Sequence, residues 1–198
     1  MSQRDYMVLH GSAIDIMGQG IIVTGAKGRG KSTLTATLLA RGHRLITDDI
    51  TAINITTDTI ELLPGIPNLK IWSDAARATG INFSNLTKIN PFIDKYNYAL
   101  PHHYSNKRVP LTTIIFLTHG EETNIEEIPL NKRILWLIAN SYFSRYTHAL
   151  SKSDNKRIFK QSVQLAQRLR ILILAYPRNL QLLPNIATII ENKIKKME

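Results

Sequence analysis

The stretch that most constrains the fold is GAKGRGKST, residues 25–33. It satisfies the pattern G-x-x-x-x-G-K-[ST] with Gly25, Gly30, Lys31 and Ser32. Such a loop needs a strand before it and a helix after it, and both are written here. Ile21, Ile22 and Val23 run as a buried strand into the glycines. Residues 31–41, KSTLTATLLAR, put Leu34, Leu38 and Leu39 on one helical face before Gly42 stops it. Glycines let the backbone curl so that successive N–H groups face phosphate oxygens, and the helix N-terminus adds partial positive charge. Gly25, Ala26, Lys27, Gly28, Arg29, Gly30, Lys31, Ser32 and Thr33 thus form an expected nucleotide-binding loop. In it Lys31 reaches the β/γ-phosphates and the Ser32 hydroxyl ligates Mg²⁺. The competing reading is a surface turn with accidental spacing.

The flanking pattern predicts an α/β chain. MVLHGSAIDIMGQGIIVTG alternates like a hairpin turning at Gly18, Gln19 and Gly20, and RLIT, TAINIT, IELL and LTTIIFL read as further strands. After Pro129 the texture turns helical, with stripes at Ile134, Leu135, Ile138 and Tyr142, and at Phe159, Val163, Ala166 and Leu169 facing Lys156, Lys160 and Arg168. ILILAY then reads as a strand, followed by a last helix carrying Ile186, Ile189, Ile190 and Ile194. With 198 residues and no repeat or linker, the expectation is one P-loop domain over residues 1–198, a mixed sheet with C-terminal helices. Cysteine is absent, which excludes disulfides and thiolate metal sites. No secretion signal or membrane-length apolar run is present, so the expected location is cytoplasmic, with no membrane partner. The formal charge is +10, and residues 151–198 hold ten Lys/Arg against three Asp/Glu, about +7 of it. That reads either as a solvated face and basic tail or as a surface for an acidic peptide; no nucleic-acid motif accompanies it.

Sixteen residues after Ser32, RGHRLITDDI delivers Asp48 and Asp49 at a strand end. Phosphoryl transfer to an alcohol needs one group to hold Mg²⁺ and another to take the acceptor's proton. Adjacent residues at a strand end can point apart, so the pair can divide those tasks; a strand-ending turn is the plainer alternative.

The run HGSAIDIMGQGIIVTGAKGRGKSTLTATLLARGHRLITDD resembles the catalytic core of the HPr kinase/phosphorylase family, continuously over residues 10–49. His-Gly on an early strand and the RGH…DD trailer are not general P-loop features. The text LLPGIPNLKIW with SDAA resembles short HPr-kinase-like proteins that tailor ribosomally made peptides, lasso peptides among them. The resemblance implies a core like that of phosphoenolpyruvate carboxykinase and an ATP- and Mg²⁺-dependent serine kinase. It implies that Asp48 deprotonates the acceptor serine, that Asp49 is its companion near the metal together with Ser32, and that His10 lies beside the catalytic acid. The two aspartates could exchange roles, and a histidine at a strand end is otherwise often structural. Two departures count. Only nine residues precede His10, so the N-terminal domain of full-length HPr kinases is expected to be absent. The family's second signature, an acidic-x-Arg-Gly-Leu-Gly run, is replaced by ELLPGIPNLKIW. The second departure places phosphorylase activity, and HPr as the substrate, in doubt.

Lys70 and Trp72 are read as cleft-lining or strand-edge residues, and KYNYALPHHYSNKRVP as a polar, aromatic-rich loop whose Lys107 and Arg108 could meet a phosphate or acidic peptide. His102 and His103 are adjacent and lack a suitably spaced third ligand. The sequence therefore predicts an ATP-dependent kinase acting on a serine of a peptide or small protein, with self-association left open. A true HPr serine kinase and a non-catalytic nucleotide-binding regulator are the alternatives.

Overall fold

The computed structural model describes residues 6–142 and 152–195. The last part of the helical text read over residues 132–146, and both ends of the basic segment at 151–198, lie outside them. The chain starts as a hairpin of β1 (Met7–Ile16) and β2 (Gln19–Thr24). Its two connecting residues, Met17 and Gly18, have φ of 53° and 82°, the left-handed pair whose twist suits a tight antiparallel turn. The turn thus lies earlier than expected, with Gln19 and Gly20 already in β2. The Gly18 N–H donates to Asp15 Oδ1 at 2.8 Å, closing the turn from its own strand.

After the glycine loop come α1 (Lys31–Ala40), β3 (Arg44–Thr47), β4 (Ile50–Ile55) and β5 (Ile60–Leu62). Next are β6 (Asn68–Trp72), α2 (Ser73–Ala78), β7 (Leu86–Asn90), β8 (Ile93–Ala99) and β9 (Val109–His119). The chain closes with β10 (Asn124–Glu127), α3 (Leu130–Ala139), α4 (Lys152–Arg168), β11 (Arg170–Tyr176) and α5 (Leu183–Lys195). The main sheet is mixed, in the order β10-β11-β9-β2-β1-β4-β5, with β3 also on β1. The first residues of β9 pair back to β5, closing β9, β2, β1, β4 and β5 into a ring. Three neighbours, β2, β9 and β11, run parallel, so their carboxyl ends at Thr24, His119 and Tyr176 share one edge. Clefts at the carboxyl ends of parallel strands are where α/β proteins bind ligands.

One face of the sheet buries Leu9, Ile22, Ile53 and Phe116 with Leu137 of α3 and Leu165 of α4. The other buries Val23, Ile115 and Leu172 with Leu34 and Leu38 of α1 and Ile186 and Ile190 of α5. A smaller sheet, β6-β8-β7, packs Leu69 and Ile71 against Ala36 and Leu39 on the far side of α1. Helix α1 is covered on two sides, so Thr35 and Ala36 are buried along with its leucines.

Three readings need correction. In α3 the buried residue is Leu137, Leu135 is 69% exposed, and Tyr142 falls beyond the helix end. In α4 Ala166 and, just past the helix, Leu169 are buried as expected, but the rest of the buried face is Ile158, Gln161, Ser162 and Leu165, with Phe159 54% exposed. Spacings of three and four fit both registers of α4. The register that forms lets Arg133 of α3 donate to the carbonyls of Ala166 and Leu169 at 3.0 and 3.3 Å, satisfying the end of α4. Thirdly, part of the expected loop is β8, whose Tyr96 and Tyr98 pack on the small core. Lys156, Lys160 and Arg168 are exposed as expected. Among the described residues no helix is long and apolar enough to cross a membrane.

Glu191 ties the end of α1 to α5. Its carboxylate takes Arg41 Nη2 at 2.7 Å, Arg41 Nε at 2.8 Å and the His43 ring at 2.8 Å. Those partners, the Arg41 hydrogen bond foremost, hold its pKa down to about 2. A carboxylate depressed in the fold contributes stability above its ordinary pKa of 4.5 and loses it as pH falls toward 2. Glu191→Gln is therefore expected to destabilise the fold at pH 7 by roughly 1 kcal/mol, given the 36% exposure of Arg41, and so to lower the melting temperature. Melting curves at pH 7 and at steps down toward pH 2 check this: the difference from wild type should shrink steadily as pH falls from 4.5 toward 2.

Candidate active site

β1 brings the site together because its edge changes partner. Met7 to His10 pair with β4, whereas Ala13 to Asp15 pair with β3. Between these registers the opposing strand breaks at Asp48 and Asp49, facing Gly11 and Ser12. Asp49 takes φ 64°, a left-handed conformation that Asp tolerates better than most residues, and this turns the chain from β3 into β4. His10 Nδ1 lies 3.0 Å from the Asp49 carbonyl. Ser12 Oγ donates to Asp48 Oδ1 at 2.6 Å. Gly11 has its own reason: a Cβ there would sit 2.6 Å from the Val23 carbonyl oxygen, inside the β1–β2 hairpin. The His-Gly lead-in is thus a packing requirement of the hairpin as well as a route to the aspartates.

The two carboxylates have opposite surroundings. Asp48 accepts from Ser12 and from the Lys70 backbone N–H at 3.0 Å, and burial pushes its pKa up despite both bonds. Asp49 accepts from Lys70 Nζ at 2.7 Å, and although burial acts against it, that bond and the nearby cations hold its pKa down. One residue of β6 therefore grips both carboxylates, its main chain on Asp48 and its ammonium on Asp49. Lys70 lies at the strand edge and in the cleft at once, so its two readings both hold.

In the glycine loop, Gly25, Gly28 and Gly30 have φ of 143°, 80° and 83°. At Gly25 a Cβ would fall 2.7 Å from the Leu117 carbonyl oxygen; at Gly30 it would collide with the Tyr176 hydroxyl. Tyr176 in turn donates to the Arg29 carbonyl at 2.8 Å, fixing the loop from the end of β11. Gly30 is the N-cap of α1 and offers no side chain to its first N–H groups, which stay available to an anion. Lys31 Nζ donates to the carbonyls of Gly25 and Ala26 at 2.9 and 3.1 Å, folded over the loop.

These parts open on one cleft of about 860 Å³. Lys27, Gly28, Arg29, Gly30, Lys31, Ser32 and Thr33 of the loop and helix start line it together with His10, Asp49, Lys70, Trp72 and Lys95. Asp48 is absent from its wall and sits behind Asp49. Trp72 is 46% exposed, and the Lys95 ammonium lies 5.9 Å from the centre of its ring. The walls carry six Lys/Arg, the four named here with Arg29 and Arg178 being Lys27, Lys31, Lys70 and Lys95, against Asp49 and Asp74. Such a cleft favours a polyanion. The loop fits a nucleoside triphosphate because its curvature is one only glycine allows and its cations converge on it. Among the described residues no group of three or more His, Asp or Glu could hold a metal alone. Mg²⁺ does not need one, since it keeps waters and phosphate oxygens and takes one or two protein ligands; Ser32 and Asp49 are the cleft residues that could serve.

Lys107 and Arg108 do not line the cleft; Arg108 reaches Glu61 at 3.4 Å. The basic C-terminal segment contributes Arg178 instead. Sequence reasoning missed Ser12, Lys95, His119, Tyr176 and Arg178. Ser12 was accessible from strand alternation, since it shares a side of β1 with His10. YPRN directly after ILILAY carried the signal for Tyr176 and Arg178, at the end of a buried strand beside the glycine loop.

Residues 2–71 match the family described as HPr Serine kinase C-terminal domain. The HPr kinase/phosphorylase of Clostridium botulinum (strain Eklund 17B / Type B) is 34% identical over 99 residues, covering 50% of this chain and 32% of that protein. The HPr kinase/phosphorylase of Lachnoclostridium phytofermentans is 44% identical over 50 residues, 25% of this chain and 16% of that protein. The chain thus spans about a third or less of the length of these relatives. A solved structure, the Hpr(Ser) kinase/phosphatase from Coxiella burnetii, aligns loosely over 96% of this chain and 97% of that one, with 16% identity and a TM-score of 0.49.

Proposed function

We propose that this chain is an HPr kinase-like enzyme that transfers the γ-phosphate of ATP to a serine hydroxyl of a flexible peptide. A ribosomally made, lasso-type precursor is favoured over folded HPr. The observation that carries this reading is the pair of adjacent aspartates with opposed pKa shifts, of which Asp49 lines the same six-cation cleft as the glycine loop. Mg-ATP supplies the phosphoryl group and a divalent charge on its oxygens. Lys31 swings from the loop carbonyls to the phosphates, and the α1 N-terminus and loop N–H groups orient them. Asp49, kept ionised by Lys70, stands with Ser32 on the metal side. Asp48, its pKa raised toward working pH, takes the acceptor's proton. His10 fixes the turn between them through the Asp49 carbonyl.

The peptide acceptor is supported by where the chain departs from its relatives' second signature. ELLPGIPNLKIW holds the end of β5 and all of β6, and its Lys70 and Trp72 line the same cleft as the glycine loop. An extended chain end reaches a recessed carboxylate more easily than a serine on a folded surface. Acidic residues on it would meet Lys95 beside Trp72, so binding should weaken with salt.

Mass spectrometry of candidate precursor peptides incubated with Mg-ATP at low and high salt tests this, with serine-to-alanine controls. One phosphoryl group on serine, with slower transfer in high salt, is expected. A mark on histidine or aspartate, or equal transfer to folded HPr, would sink the reading.

A further inference from the structure

We propose that His119 is a positioning residue that holds Arg178 against the glycine loop as a second phosphate-binding cation beside Lys31. The inference rests on the nucleotide reading of that loop and adds a residue pair to it. His119 ends β9 and Arg178 follows the end of β11, the two parallel strands adjacent at that edge. Both line the cleft that holds Arg29, Lys31 and Ser32.

Arg178 Nε donates to His119 Nε2 at 2.6 Å. A guanidinium has no acceptor, so His119 Nε2 must carry a lone pair and its proton must sit on Nδ1. The ring is thus neutral in this arrangement. Burial foremost, then the charges of Arg178 and Arg29, holds its pKa below the ordinary 6.5, outweighing the Tyr176 main chain, which acts the other way. With Nε anchored, the two terminal nitrogens of Arg178 have no protein partner among the described residues. Arg178 is otherwise an exposed side chain on a loop. Left alone it would spread over many rotamers; the bond to His119 removes that freedom before a phosphate arrives. The fork geometry of a guanidinium suits two phosphate oxygens at once, whereas Lys31 supplies a point charge.

Protonation of His119 would turn the acceptor into a donor facing Arg178 Nε–H and add a third cation beside Arg178 and Arg29. Arg178 would then be released. The loss belongs below the ordinary histidine range, because the ring's pKa is lowered.

Calorimetric titration of the full chain with Mg-ATP tests this without any acceptor. Arg178→Ala and His119→Leu should each raise Kd about tenfold, the scale of one charge-assisted contact. The double variant should lose little more than either, since the two act as one unit. His119→Gln keeps an acceptor oxygen and should bind within about threefold of wild type. Affinity of the wild type should fall more steeply on acidification from pH 7 to 5 than that of His119→Gln, which carries the same nucleotide titration without the ring. His119→Leu binding as wild type, or His119→Gln binding as weakly as His119→Leu with the same acid profile as wild type, would overturn the pairing. If Lys31→Ala also left binding untouched, the nucleotide reading itself would be at fault instead.

Discussion

Lys31→Ala is expected to weaken Mg-ATP binding by roughly 10- to 100-fold and phosphoryl transfer by more, about 10³-fold, because transfer here rests on positioning and charge. Lys31 is folded back over the loop, its ammonium on the Gly25 and Ala26 carbonyls. Phosphate oxygens would replace those carbonyls at little reorganisation, since the side chain already lies over the loop. Alanine removes both the charge and the contacts, while Arg29 and Arg178 remain to hold some affinity. Binding is therefore expected to survive in part and transfer to fail. Calorimetry for binding and a labelled γ-phosphate assay for transfer separate the two effects. Transfer at the wild-type rate would falsify the assignment of residues 25–33 as the phosphate loop. Loss of folding is not expected, because Lys31 is partly exposed and α1 is held by Leu34 and Leu38 at no exposure.

How much of this was legible depended on how local the signal was. The glycine loop and α1 were readable because each glycine answers to its own backbone, and Leu34, Leu38 and Leu39 lie within a few turns. The aspartates were found as a pair, but their unequal surroundings were not, because Ser12 and Lys70 reach them from 36 and 22 residues away. The small sheet was missed in part for a related reason. β7 is exposed over Thr87, Lys88 and Ile89, and β8 mixes Asp94, Lys95 and Asn97 with the tyrosines, so apolar alternation is weak. What makes β8 a strand is pairing with β6 and β7 over α1, a tertiary fact. The α3 and α4 stripes were right at Ile134, Ala166 and Leu169 and wrong at Leu135 and Phe159, since apolar residues there occupy neighbouring faces and tertiary contacts such as those of Arg133 choose between them. Arg178 was missed because a loop arginine carries no period, and only the parallel order of β2, β9 and β11 puts it beside the glycines.

Asp48→Asn is expected to lower transfer by roughly 10²- to 10⁴-fold while leaving Mg-ATP binding intact. The same variant should be as stable as the wild type at pH 7, or more so. The sign follows from the surroundings: burial raises the Asp48 pKa above its ordinary 3.8, so the folded state binds that proton more readily than the unfolded chain. Stability from this group is then greatest in acid and falls as pH rises through the raised value, leaving an ionised carboxylate that costs stability at pH 7. Asparagine removes that charge yet keeps an oxygen for the Lys70 N–H, and its amide can donate to Ser12 Oγ, whose hydroxyl can turn. Asp49→Asn should behave in the opposite way. Its pKa is lowered, mainly through the Lys70 ammonium, so the pair contributes stability at neutral pH that is lost as pH falls below 3.8. Breaking it should lower the melting temperature slightly, since both side chains are over a third exposed or close to it, at 44% and 35%. It should also weaken Mg²⁺-dependent binding, because the metal-side carboxylate is gone. Wild-type transfer should decline on acidification above the ordinary carboxylate range, at the raised Asp48 value, and not near the depressed one of Asp49. Measuring melting temperature, Mg-ATP affinity and transfer for both variants gives six values that the two assignments order differently. Asp48 stands behind the cleft wall, so the acceptor hydroxyl must pass Asp49 to reach it. If Asp49→Asn abolished transfer with nucleotide binding intact, and Asp48→Asn lost binding instead, the aspartate at the wall would be the base and the roles would be exchanged.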